Sequence, residues 1–214
     1  MYHPSADKSD GENKGLDEIV RALEKTQAGS HLIMVYPELG MLRKIYSNYI
    51  KQELEKDEIV LMLPYYEPIN KVKDTLSNVG IDVDYHLHQG SLLIIDAYEA
   101  FFGHKFENEK LGEVIENEKG NIVSLMRILQ KQVKKLQKDG ITVIVDLGCF
   151  FTTDLDYLLK YEKSIPQMFV NDGLKQLCIY HQRDFDSRFA DTDKAYLLDQ
   201  HGRSVLMLDV LSND

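Results

Sequence analysis

The feature that most constrains this chain is a set of six short apolar runs, each mostly continuous rather than alternating. They are Leu32 to Val35, Ile59 to Leu63, Leu92 to Ile95, Ile141 to Val145, Leu177 to Tyr180 and Val205 to Leu208. A strand with one wet face alternates apolar with polar residues, whereas a strand covered on both faces has no need to. Helical spacing fills the gaps between the runs. Leu39, Leu42, Tyr46 and Tyr49 form one stripe. Ile122, Met126, Leu129, Val133 and Leu136 form another, with Lys131, Lys134, Lys135 and Lys138 left for water. Asp139-Gly140 reads as the stop of that second helix. The alternation predicts a three-layer α/β fold: a mainly parallel sheet, Rossmann-like, covered by helices and wound through right-handed crossovers.

The ends and one internal stretch stand outside this pattern. Residues 1–14 are Ser-, Asp-, Gly- and Lys-rich and read as a mobile tail, leaving 15–214 as a single domain. Leu16, Ile19, Val20 and Leu23 place a short amphipathic helix before Gly29. The charged stretch from His104 to Gly120 is long for a bare loop and is expected to be partly helical, as a surface helix or flap.

Composition narrows the function. A chain of 214 residues with 43% hydrophobic content needs neither disulfide nor metal to hold a core. The net charge of −10 opposes binding to phosphate backbones, so no direct nucleic-acid partner is expected. No apolar run approaches the length of a membrane span, and the first residues carry no secretory core, which points to the cytoplasm and to no membrane partner. Cys149 and Cys178 lie far apart without Cys-x-x-Cys spacing, as buried reduced thiols do.

Ligands of open parallel sheets sit beyond the carboxyl ends of the strands. The residues leaving the runs are therefore the first candidates: Tyr36, Pro64 to Tyr66, Asp96, Asp146, and Tyr180 to His181. Asp96 and Asp146 each follow an apolar run, like the acidic end of a nucleotide-binding strand, although Asp also caps helices at such places. The first strand is followed by Tyr36-Pro37-Glu38-Leu39-Gly40. Pro37 has no amide hydrogen and Glu38 has the wrong sign for a phosphate cradle, and no Gly-Lys-Ser/Thr occurs. Catalytic nucleophile signatures are missing too, and no cofactor signature is present.

Glu162 is more informative. A helix opening at Thr152-Thr153-Asp154, with Thr153 and Asp156 as a capping box, carries Leu155, Leu158, Leu159, Ile165 and Phe169 on its inner stripe. Glu162 falls on that stripe, where a carboxylate must be paired, hydrogen-bonded or protonated. The seven histidines form no recognisable metal set. His86 and His88 would share a face of an extended segment and read as surface residues, while His31 and His181 bound strands and are placed at the sheet rim.

Four short elements, taken in order, resemble a known family. They are Gly29-Ser30-His31 opening a strand that ends Val35-Tyr36; Gly90-Ser91-Leu92 through Asp96; Leu159-Lys160-Tyr161-Glu162; and Leu177-Cys178-Ile179-Tyr180 followed by Phe185. In this order they resemble the MEDS domain, the sensory domain of DcmR-type regulators. That resemblance implies a KaiC/RecA-type fold without its P-loop, a non-catalytic role sensing small organic molecules, and output through a fused kinase or DNA-binding domain. Ser30 stands where the family commonly has Asp, and His181 where an acidic residue is common. With no output domain expected here, signalling would pass through a partner protein or a homo-oligomer. The expected ligand site joins His31, Tyr36, Glu162, Cys178 and Tyr180 from the motifs to Asp146 from its position. Two other readings compete: a degenerate RecA-like nucleotide hydrolase using Asp146 to hold a metal, and an interaction module whose rim is filled by its own side chains.

Overall fold

The computed structural model describes residues 8–103, 105–108, 113–116, 122–169, 173–201 and 205–207. In chain order the elements are α1 (Lys8–Glu24), β1 (His31–Tyr36), α2 (Leu39–Glu55), β2 (Ile59–Leu63), α3 (Ile69–Asn78), α4 (Val83–Gln89), β3 (Leu92–Ile94) and α5 (Ala97–Phe102). There follow β4 (Lys105–Asn108), β5 (Glu113–Glu116), α6 (Ile122–Leu136), β6 (Ile141–Asp146), a 3₁₀ turn at Leu147–Thr152, α7 (Leu155–Phe169), β7 (Leu174–His181), α8 (Gln182–Arg188), α9 (Asp191–His201) and β8 (Val205–Met207).

All six apolar runs become strands of one sheet, in the order β3-β2-β6-β7-β1-β8, and every pairing in it is parallel. Helices cover both faces, which is why the strand sequences do not alternate. Ile33, Val35, Val143, Val145, Cys178 and Tyr180 point to one face, where they pack with Phe101 of α5, Leu129 of α6, Leu158 of α7 and Leu197 of α9. Leu32, Met34, Tyr36, Ile144, Leu177 and Ile179 point to the other, against Leu23 of α1, Ile45 and Tyr49 of α2 and Leu76 of α3. Every β1 residue after His31 is buried, so alternate side chains feed two separate cores.

At the amino end of the strands, the α1–α4 face holds a buried ion network. Lys175 of β7 pairs with Glu53 of α2 and lies 2.6 Å from Glu58, while Lys56 lies 2.7 Å from Glu53. The Thr142 hydroxyl lies between the two carboxylates, 3.1 Å from Glu53 and in hydrogen-bond contact with Glu58, and shares its one hydrogen between them. Opposite charges and complete hydrogen bonding make this burial tolerable.

Several expectations change. α1 begins at Lys8, inside the stretch read as a tail. The 104–120 segment contains an antiparallel hairpin of β4 and β5 where partial helix was expected. Phe106 pairs with Ile115 and Glu107 with Val114, in four-residue strands too short and too charged to show a period of two in the sequence. α6 turns out through Gln137 at φ 55°, not through Gly140. Gly140 is required for closeness instead, since a Cβ there would stand 2.7 Å from the Gly173 carbonyl. Asp154, not Thr153, caps α7, its Oδ1 accepting from the Tyr157 amide at 2.8 Å. His86 and His88 lie on helix α4, where residues two apart diverge around the axis instead of sharing a face. Among the described residues no helix is long and apolar enough to cross a membrane.

Candidate functional site

The six residues assigned to one site fall into two groups on opposite faces of the sheet. Tyr36 and Asp146 lie at the carboxyl rim on the α1–α4 side. His31, Glu162, Cys178 and Tyr180 lie on the α7–α9 side, His31 at the amino end of β1 and Cys178 and Tyr180 further along β7. Strand parity explains the division: His31 pairs with Gln176 and points one way, while Tyr36 pairs with His181 and points the other. Of the two strand-bounding histidines, His31 therefore marks the amino edge and His181 the carboxyl edge.

At the rim, three strands end together. The Tyr36 ring meets His181 edge-on at 5.3 Å, and Tyr66 lies 5.6 Å from the same imidazole. Tyr66 donates its hydroxyl hydrogen to Asp184, at the start of α8. Its loop is held to α2 through Glu67, which accepts from Arg43 Nε at 2.6 Å and from the Tyr46 hydroxyl at 2.9 Å. Beneath this cover, Asp146 Oδ1 accepts from the Gly148 amide at 3.0 Å and Oδ2 from the Tyr66 amide at 3.4 Å. Burial pushes the Asp146 carboxyl up to about 7 despite those amides. Burial, together with the nearby Asp146 carboxylate, also drives the Tyr36 phenol far above its ordinary range. The Tyr36 hydroxyl is buried and has no hydrogen-bond partner. Asp96, the other acidic strand end, accepts from the Glu99 amide and caps α5.

The second group is larger than the sequence indicated. His201, at the end of α9, joins His31, Glu162 and Cys178, so that one ligating atom from each lies within 4.8 Å of the others. His31 Nε2 is 3.0 Å from His201 Nε2, 3.3 Å from Cys178 Sγ and 3.2 Å from Glu162 Oε2. His201 Nε2 is 3.6 Å from the same carboxylate oxygen. Around them, Tyr180 donates to Glu162 Oε1, Gln176 Nε2 donates to Cys178 Sγ at 3.0 Å, and His201 Nδ1 lies 2.6 Å from the Leu197 carbonyl. Burial tends to raise the Glu162 carboxyl, but the two imidazoles and the Tyr180 hydroxyl outweigh it and hold it below its ordinary range. Burial and the neighbouring Glu162 push the Cys178 thiol well up, and burial lowers His201. His201 carries no motif in sequence; its position closing the last helix before an apolar run was the available signal.

A cavity of about 330 Å³ beside β3, lined in part by His88, Leu93, Ile95, Gln132 and Lys135, contains none of the candidate residues.

Fold and site together define a three-layer α/β domain whose six-stranded sheet is all parallel, with a polar centre on each face. The chain belongs to the MEDS family, the MEthanogen/methylotroph, DcmR Sensory domain, which it matches over residues 30–192. This agrees with the resemblance carried by the four short elements. Among solved structures it is similar to a KaiC-like protein from the hyperthermophilic archaeon Pyrococcus horikoshii, with a TM-score of 0.50 and 12% sequence identity. That alignment covers 79% of this chain and 70% of the other, and at this identity it shows the fold alone. A comparison with curated proteins found no match.

Proposed function

We propose that this chain is a non-catalytic sensory domain that recognises a small, polar organic molecule at the carboxyl rim and passes its occupancy to a partner protein or a second copy. Membership of a sensory family supports the general role. The observation that carries the site is the Tyr36 hydroxyl, buried without a partner beside the Asp146 carboxyl. A buried hydroxyl left unpaired costs free energy that a ligand's polar group would recover. Tyr66 is half-buried over this spot, so a ligand reaches it by displacing a single ring whose anchor is Asp184. A carboxyl that titrates near neutrality accepts a hydrogen bond when ionised and donates one when protonated, which suits short oxygenated molecules. His31, Glu162, Cys178 and Tyr180, on the opposite face, lie outside this ligand site.

The test is a thermal-shift screen of short alcohols, aldehydes, carboxylates and amines, run in the presence of a chelator. A ligand at about a hundred times its Kd stabilises a fold by about 2.7 kcal/mol. The shift should disappear in Tyr36→Phe and Asp146→Asn and persist in Tyr85→Phe, an exposed tyrosine on α4. Stabilisers that act equally on all three variants would place the ligand elsewhere.

A further inference from the structure

We infer that His31, Glu162, Cys178 and His201 form a binding site for a divalent first-row transition metal, with zinc the best fit. The four residues come from β1, α7, β7 and α9, and their ligating atoms converge on one point. Metal–nitrogen and metal–oxygen bonds of about 2.0–2.2 Å and metal–sulfur bonds of about 2.3 Å give tetrahedral edges of about 3.3–3.7 Å. Four of the six edges, at 3.0, 3.2, 3.3 and 3.6 Å, are close to that size, and all four atoms lie within 4.8 Å of one another.

Proton bookkeeping points the same way. The Leu197 carbonyl can only accept, so His201 carries its hydrogen on Nδ1, and in the neutral ring Nε2 presents a lone pair to the centre. Glu162 Oε2 is buried and makes no hydrogen bond, although His31 Nε2 lies 3.2 Å away. The Cys178 sulfur supplies further lone pairs. One His31 Nε2 hydrogen cannot serve three acceptors, whereas one cation serves all four groups.

The atoms that would not touch the metal are mostly engaged already. Tyr180 holds Glu162 Oε1, the Leu197 carbonyl orients His201, and Gln176 donates to Cys178. Such outer hydrogen bonds orient ligands and raise their affinity. One thiolate, one carboxylate and two neutral imidazoles also balance a +2 ion, leaving no net charge in the core. On binding, the metal–sulfur bond replaces the Cys178 S–H bond and its proton leaves to solvent. Two imidazoles with one thiolate and one carboxylate is a mixture that suits zinc or cobalt better than magnesium or calcium, which take oxygen.

The experiment uses the untagged full chain, stripped with chelator and titrated with Co²⁺ and then Zn²⁺. One equivalent of Co²⁺ should give the visible bands of a four-coordinate ion with a thiolate charge-transfer band in the near ultraviolet, and Zn²⁺ should displace it. The charge-transfer band should vanish in Cys178→Ser and persist in Cys149→Ser. Gln176→Ala should weaken zinc binding by about ten- to a hundredfold, as loss of an outer hydrogen bond does. Glu162→Gln and His201→Gln, checked for folding by circular dichroism, should weaken it at least as much, and they decide the matter if Cys178→Ser does not fold. A folded wild-type chain without these bands, or a thiolate band that survives Cys178→Ser, overturns the site. The rim screen is run in chelator, so its outcome is independent of this one.

Discussion

Tyr180 gives its phenolic hydrogen to Glu162 in the interior of the domain, committing one carboxylate oxygen and leaving the other to face His31 and His201. Both partners are buried and no water competes. Tyr180→Phe removes the donor and strands Oε1. Hydrogen bonds to charged groups contribute about 1.5–3 kcal/mol, and urea denaturation should show a loss of that order.

Asp146 makes the stability of the domain depend on pH. Its carboxyl is raised from 3.8 to about 7 in the folded chain. The folded state therefore holds a proton that the unfolded state releases between those values. This contribution is fully present below about pH 4 and is lost as the pH rises through about 7. Its ceiling is about 4 kcal/mol, from about 1.4 kcal/mol per unit. Denaturation at pH 5 and at pH 8 should show the wild type losing stability over that interval and Asp146→Asn losing much less. Equal losses in both proteins would place the pH dependence elsewhere.

Lys175 holds two buried carboxylates at the amino end of the strands. Lys175→Met leaves Glu53 with the half-exposed Lys56 and a share of the Thr142 hydroxyl, and Glu58 with Thr142 and no cation. Breaking a buried pair in this way costs about 3–5 kcal/mol. Replacing Glu53 by Met as well should recover much of the loss, because the uncompensated charge goes with it. Urea midpoints of the single and double variants measure both effects.

Gly148 is a point where the rim can be opened. A Cβ there would stand 2.4 Å from the Tyr66 ring and 2.7 Å from that of Tyr65. Tyr66 is half-buried and can swing, so Gly148→Ala should push it off Asp146 at a cost of about 1–3 kcal/mol. With Asp146 wetted, its carboxyl should titrate lower than in the wild type. Carbon-13 NMR of the side-chain carboxyl reads that change directly.

The sheet was legible because strands buried on both faces cannot hide their composition; each of the six apolar runs became one. Glu162 was legible for a related reason, a carboxylate on a stripe otherwise given to burial. The separation of His31 from Tyr36 was legible too. The two stand an odd number of residues apart in one strand and so point to opposite faces. His201 was harder to find, since the four donors come from four elements and no spacing in sequence encodes their meeting. Asp96 and Asp146 looked alike as acidic strand ends. Only the surroundings distinguish them, one capping α5 and the other enclosed beneath Tyr66.

The order of the sheet also has a consequence for synthesis. Among the described residues, the neighbours of β1 are β7 and β8, both of which come much later in the chain. Cys178 follows His31 by 147 residues. At about 5–20 residues per second, the nascent chain carries an unmatched apolar strand for on the order of ten seconds. During that interval the partial chain can complete β2, β3 and β6 but neither of the polar centres that use β1. Each of those is assembled only after β7 has been made, so a product truncated before that strand would have part of a sheet and neither centre.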